Sequence, residues 1–295
     1  MSDVGSVAEL WRFPVKSMLG ERLDRVDLTE RGVFGDRAYA LVDVHTGKVV
    51  SAKSVRVFPD LLGCRAAFME APQPDRDLPP VRITFPDGAS VTSDSAAADQ
   101  RLSAHFKRAV RLARTAPADF TIDQYHPDVE GLDPAGHRNT VVEQKLGSAL
   151  FAAVGLASPV PEGSFFDLFP LSVLTTSTLD RLRALAPHSR IDSRRFRMNI
   201  IVGTSEGGGF LENAWVGREL HIGPAARLVI ALPDPRCVMT TLAQDDLPAD
   251  IGILRTLAQH NTIPVGNIGP YPCAGVYAVL GAAGSVRTGD PVQLI

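Results

Sequence analysis

The first hundred residues are broken into short apolar runs, none long enough for an ordinary helix and each closed by a turn signal. These are Ala8–Val15, Leu23–Leu28, Tyr39–Val44, Lys48–Ala52, Gly63–Phe68 and Val81–Phe85. Such punctuation restricts the segment to a small barrel or sandwich of short strands. Thr46-Gly47 and Asp87-Gly88 read as hairpin turns, the second more firmly. Val81, Ile83 and Phe85 alternate before it, Val91 follows it, and Asp-Gly tolerates the positive φ of a tight turn.

The pattern then changes. Ser95–Val110 reads as a helix with Asp94 or Ser95 as its cap and Leu102, Phe106 and Val110 on one stripe. From Thr115 to Arg138 the chain is rich in proline, aspartate and histidine, as expected of a domain junction or a loop bordering a site. Helices are expected near Thr140–Val154, at Ser177–Leu185 with Ser177 and Asp180 at capping-box spacing, and at Ile251–His260. Strands are expected at Phe196–Val202, Glu219–Ile222, Ala225–Leu232 and Gly275–Leu280. The fold class is therefore α+β and β-rich, in two parts.

Composition narrows the function. A net charge of −3 over 295 residues supplies no global basic field for nucleic acid or an anionic membrane, so an anion site must be local. Three cysteines argue against a disulfide framework and for a reducing compartment, with the cytoplasm as the expected location. The run from Met1 to Glu9 lacks the features of a signal peptide, and no apolar run reaches transmembrane length. The histidines show no His-Glu-x-x-His spacing and the cysteines no Cys-x-x-Cys pair, so the sequence signals no zinc site. Three cysteines cannot supply an ordinary iron–sulfur cluster.

One place is built around a reactive sulfur. In Leu232-Pro233-Asp234-Pro235-Arg236-Cys237-Val238-Met239-Thr240-Thr241 an apolar strand ends in two prolines and presents a thiol beside a guanidinium. A free cysteine is more often a small buried hydrophobe. Here the neighbouring cation favours the thiolate, which is both nucleophile and metal ligand, and Thr240 and Thr241 are expected to add donors. The rival motif is Gly203-Thr204-Ser205-Glu206-Gly207, which matches a serine nucleophile elbow after a strand. The elbow needs an immediate helix, and Gly207-Gly208-Gly209 opposes one, so a mobile loop is the simpler reading and a hydrolase working through Ser205 the weaker one. Basic and hydroxyl residues also fall near strand ends: Lys16-Ser17, Asp36-Arg37, Lys53-Ser54 and Arg195-Phe196-Arg197 before Asn199. Taken singly, each is a solvated surface group.

Several motifs in order bring these groups together. Leu10-Trp11-Arg12-Phe13-Pro14-Val15-Lys16-Ser17, Gly35-Asp36-Arg37-Ala38-Tyr39, Phe196-Arg197-Met198-Asn199-Ile200, Trp215-Val216-Gly217, Pro235-Arg236-Cys237 with Thr240-Thr241, Gly275-Val276-Tyr277 and Val286-Arg287-Thr288-Gly289-Asp290-Pro291-Val292 span almost the whole chain. On them the sequence resembles the molybdenum cofactor sulfurase C-terminal (MOSC) domain family with its N-terminal β-barrel companion, in particular the amidoxime-reducing components and their bacterial relatives. The resemblance implies a β-barrel-like domain over residues 1–118 and a MOSC β-barrel domain with peripheral helices over residues 119–295. It implies a molybdenum cofactor, Mo-molybdopterin, with Cys237 as both metal ligand and catalytic residue. A soft ionised sulfur suits a high-valent metal with sulfur partners. Lys16, Ser17, Arg37 and Arg197 would grip phosphate and pterin, Lys53 and Arg236 would complete the basic set, and Asn199 and Tyr277 would add hydrogen bonds.

The implied reaction is reduction of a small N-hydroxylated substrate with electrons from a separate flavin or iron–sulfur reductase, without nucleic acid or membrane. Pyridoxal phosphate binding is a further family-level expectation. The alternative is a non-catalytic carrier of molybdopterin or sulfane sulfur. Two departures stand out: Arg197-Met198-Asn199 where the family pattern has Arg-Pro-Asn, and Asp167-Leu168-Phe169-Pro170 without small polar residues before the proline. By the resemblance, the chain is expected to begin directly at the barrel domain and to be of the soluble bacterial type.

Overall fold

The computed structural model describes residues 2–205 and 207–295. Met1, which opens the Met1–Glu9 run, and Glu206, within the Gly-x-Ser-x-Gly motif, lie outside the described residues. The architecture is strand-rich α+β around a closed barrel of seven strands. Around the barrel the order is Leu171–Thr175, Ile200–Gly203, Ser2–Arg12, Pro291–Leu294, Glu219–Ile222, Ala226–Pro235 and Pro270–Ala282, which returns to Leu171–Thr175. Every pairing is antiparallel except that of Leu171–Thr175 with Ile200–Gly203.

The barrel closes because alternate residues of each strand are apolar and point inward. Val7 and Leu10, Ile200 and Val202, Leu220 and Ile222, Leu228 and Ile230, Val276 and Ala278, and Val292 and Leu294 form one buried cluster. Each such Val, Leu or Ile contributes roughly 1.5–3 kcal/mol on burial. The first strand reaches this barrel from the opposite end of the chain, and Arg25–Thr29 pairs with Gly284–Arg287, so the N- and C-terminal segments interlock.

The remaining N-terminal segment has its own core, with Met18, Leu41, Phe58, Leu62, Ile83 and Leu102 in one cluster. Its walls are the meander Arg65–Phe68, Val81–Thr84 and Ser90–Thr92 and the pair Ala40–Asp43 with Val110–Ala113. The Asp87-Gly88 turn forms as expected: Gly88 has φ +85°, and Phe85 N donates to Ala89 O at 2.8 Å. The expected strand Lys48–Ala52 reduces to a single bridge at Val49, because its amides divide between two neighbours, Val49 N going to Thr121 O and Val50 N to Leu41 O.

Several expected elements are corrected. The helix after residue 95 covers only Ala98–Phe106; Lys107 turns left-handed (φ +52°) and Val110 opens a strand. The segment 115–138 contains the strand Thr121–His126, and the expected helix Thr140–Val154 is a strand, Thr140–Lys145, followed by a short helix, Gly147–Ala153. Thr140-Val141-Val142 is β-branched, and its burial alternates with period two, so it pairs with Thr121–His126 as a hairpin. Helix Thr176–Leu185 is capped by Thr175, whose hydroxyl accepts from Thr178 N; Ser177 donates instead to Gly209 O. The expected strand Phe196–Val202 begins only at Ile200, because Ser193–Phe196 forms a 3₁₀ turn and Arg197 is left-handed. Among the described residues no helix is long and apolar enough to cross a membrane.

Candidate cofactor site

The strand Ala226–Pro235 follows its partner Pro270–Ala282 with three register shifts, the last between Pro233 and Pro235. Irregular pairing of this kind re-aims side chains at a sheet end. Arg236 N is then fixed by Pro272 O at 2.7 Å, and Cys237 becomes the N-cap of the 3₁₀ turn Val238–Thr241, half-buried and facing a cleft. Thr240 and Thr241 do not supply donors to this cleft: their hydroxyls close the turn, on Cys237 O at 3.1 Å and Val238 O at 2.7 Å. From beneath, the fully buried Arg195 braces the same turn, donating to the carbonyls of Leu242 at 3.2 Å and Pro248 at 2.8 Å.

The cleft has two lobes that meet at Cys237. The inner lobe encloses about 100 Å³ and is lined by all nine residues singled out from the sequence, Lys16, Ser17, Arg37, Lys53, Arg197, Asn199, Arg236, Cys237 and Tyr277. The outer lobe encloses about 370 Å³ and adds the hairpin and turn around His126, Asp133 and His137.

Three backbone positions at the inner lobe are left-handed without being glycine: Ser17 at φ +65°, Arg37 at +47° and Arg197 at +56°. Each costs about 1–3 kcal/mol and persists only where its surroundings over-determine it. Around Arg37, and through it Arg197, the surroundings are organised by Asp36, a carboxylate with no exposed side-chain surface. It accepts from Phe13 N at 2.6 Å, from Asn199 Nδ2 at 2.9 Å and from Arg37 Nη1. Arg37 Nη2 then reaches Arg197 O at 3.1 Å, Arg197 Nη1 reaches Met18 O at 2.7 Å, and both guanidinium groups lie over the Phe13 ring, 4.6 and 4.3 Å from its centroid. Asn199 Oδ1 also accepts from Ser172 at 3.2 Å, so its amide orients Asp36 and, through it, Arg37.

The inner lobe is cationic. Lys16, Arg37, Lys53, Arg197 and Arg236 face Asp36, Asp167 and Asp234. Asp167 pairs with Lys16 and, at 2.8 Å, with Lys53; burial works to raise its pKa, but the two lysines hold it well below the carboxylate range. Burial lowers Lys16 to about 8 against the opposing pull of Asp167. For Lys53 burial acts downward too, yet Asp167 and its other neighbours leave it above the usual lysine value. Burial, with Arg37 adjacent, lowers Arg197 to about 9.

Arg236 is committed to Asp234 at 2.5 Å and Phe196 O at 2.5 Å, while its Nε is buried with no partner. Tyr277 lies beside Asp234 and stacks on Phe169 with centroids 5.3 Å apart; burial and Asp234 raise its hydroxyl well above the usual phenol value. The other thiols are unsuited to ionise: burial pushes Cys64 and Cys273 to about 12, and neither lines the cleft.

Asp167 is the residue the sequence reading missed. Its segment departs from the family pattern, and only the fold brings it against lysines at positions 16 and 53. The second departure, Met198, is buried and places its Sδ 4.0 Å from Arg236 Nη1. Its methyl group also packs against Gly275 so closely that a Cβ there would lie 2.1 Å away, and Gly275 carries φ +82°. Ser205 is exposed after the strand Ile200–Gly203, with no helix in the described residues immediately after it, and does not line the cleft.

Fold and cleft together define a strand-rich barrel protein with a thiol at the mouth of a cationic pocket. Residues 4–120 match the model of the MOSC N-terminal beta barrel domain and residues 162–293 that of the MOSC domain, and the chain belongs to this molybdenum-cofactor-associated family. It is homologous to mitochondrial amidoxime-reducing component 1, with 22% identity to the human protein and 24% to the mouse protein. Each alignment covers 100% of this chain and 84% of the relative. Among solved structures, the YUAD protein from Bacillus subtilis aligns over 98% of this chain and 94% of its own, at 11% identity and a TM-score of 0.41.

Proposed function

We propose that the cleft holds molybdenum–molybdopterin and that the protein reduces the N–O bond of small N-hydroxylated compounds, with electrons from a separate flavin or iron–sulfur reductase. The observation that carries this reading is the meeting of the cleft-facing thiol Cys237 and its neighbour Arg236 with four cations from segments distant in sequence, Lys16, Arg37, Lys53 and Arg197. The donor set suits the group: one soft sulfur for the metal, basic side chains for a phosphate, and in Arg236 Nε a buried donor with no protein partner. When bound, the cofactor would supply two-electron oxygen-atom chemistry.

The chain's own contribution is binding and orientation. Cys237 presents the sulfur from a turn locked by Thr240, Thr241 and Arg195. Arg37 and Arg197 are held over Phe13 ahead of binding, so little side-chain entropy remains to be lost when they meet an anion. Asp167 keeps Lys16 and Lys53 paired and yields part of that pairing to a phosphate. The Phe169–Tyr277 stack lines the cleft and gives it an apolar wall. The sparse unpaired cysteines support a reducing compartment, the cytoplasm, as the setting of this chemistry.

The test is turnover of a model amidoxime by cofactor-loaded protein with an artificial electron donor. The reading expects catalytic reduction; a carrier of molybdopterin or sulfane sulfur would give none.

A pH dependence follows. Protonated Lys16 attracts a phosphate and neutral Lys16 does not, so pterin retention should fall as pH rises through about 8. Lys53 stays charged over that interval. Gel filtration of loaded protein at graded pH should show the loss, and Lys16→Arg should move it to higher pH, since arginine starts from a much higher pKa than lysine.

A further inference from the structure

The outer lobe contains a second chemical centre that shares no residue with the proposed cofactor grip. His126 ends the strand Thr121–His126, and the turn that follows carries Asp133 and His137. One ligand atom from each of the three lies within 4.8 Å of the others. His137 Nδ1 is 3.2 Å from Asp133 Oδ1, and the two imidazole rings are 5.0 Å apart at an interplanar angle of 50°. Ligand atoms at zinc bond lengths in a tetrahedral shell are separated by about 3.3 Å, so this spacing needs little adjustment.

A second observation points to a ligand. His126 Nδ1 and Asp133 Oδ2 are 2.9 Å apart but are not aligned for a hydrogen bond, and neither finds another partner. Their residues are 3% and 8% exposed. Two buried polar atoms left unsatisfied at such range require an explanation. A cation between them satisfies both.

We propose that His126, Asp133 and His137 bind a divalent first-row transition metal of the zinc or cobalt type. Two imidazoles and one carboxylate form a borderline nitrogen and oxygen set that suits such ions rather than calcium or magnesium. Three protein ligands leave one coordination position, and the lobe that these residues line with Cys237 and Tyr271 gives it room for water or an oxygen atom of a small molecule. The assignment is independent of what the inner lobe holds.

The experiment is a Co²⁺ titration of chelator-stripped full-length protein, read by visible ligand-field absorption and repeated with Zn²⁺ by calorimetry. The expected result is saturable uptake of one equivalent with a four-coordinate spectrum. Asp133→Asn and His137→Ala should each weaken it by about 100-fold or more, at or beyond the upper end of what losing an outer-sphere partner costs. His137 has 36% of its side chain exposed, so its variant is not expected to disturb folding, and circular dichroism checks this. Cys237→Ser should bind Co²⁺ as the wild type does. Absence of saturable uptake, undiminished uptake in His137→Ala, or uptake abolished by Cys237→Ser would each overturn the proposal.

Discussion

Cys237→Ser should reduce amidoxime turnover by more than about 100-fold, since losing even an outer-sphere partner of a metal costs 10–100-fold and this change removes a direct soft ligand. The fold should be retained. Cys237 is half-buried at the N-cap of a four-residue 3₁₀ turn and makes no side-chain cap bond, and serine is among the residues that N-caps prefer. Thermal unfolding of the variant should therefore match the wild type while turnover disappears. Cys64→Ala provides the contrast. Its sulfur is buried in the N-terminal core, 3.6 Å from His105, so substitution should leave turnover nearly unchanged. Full activity of Cys237→Ser would remove the thiol from the chemistry.

The second large effect concerns the anion grip. Arg197→Gln should lower bound pterin by about 10–100-fold in affinity, the range of one charge-assisted hydrogen bond at about 1.5–3 kcal/mol. Activity per bound cofactor should change far less, because Arg197 is assigned to holding rather than to reaction. Arg37→Gln should behave similarly. Charge reversal at either position would add a carboxylate close to Asp36, so the neutral variants give the cleaner reading. Pterin content by fluorescence after oxidative release, measured beside turnover, separates the two quantities. Unchanged pterin in both variants would mean that the phosphate lies elsewhere.

Much of the barrel was legible because its strands follow the period-two rule closely. Glu219–Ile222 forms as read, and the strand leading to the cysteine extends beyond Leu232 to Pro235. Where local signals competed, reading by periodicity failed. Sequence pattern alone reads Thr140–Lys145 as the start of a helix, whereas its strand character depends on pairing with Thr121–His126. The same pattern puts Arg197 inside a strand, whereas the bond from Arg37 to the Arg197 carbonyl and the Phe13 ring accompany a left-handed backbone there.

The nine candidate residues line one lobe, yet their internal partners could not be read from sequence. Asp36 was visible beside Arg37, but not as the acceptor for Phe13, Arg37 and Asn199 together. Asp167 lies 151 positions from Lys16, and no local pattern relates them. The histidine pair escaped for a similar reason. Asp133 and His137 stand at i and i+4, a usable hint, but His126 joins them only through the turn after its strand.

The most direct measurement of the central claim is molybdenum X-ray absorption on cofactor-loaded wild type and Cys237→Ser. If Cys237 is the protein ligand, the wild-type metal has one sulfur neighbour more than the variant, and the variant has oxygen in its place or a vacant position. Identical sulfur counts in the two proteins, at equal molybdenum loading, would contradict the account.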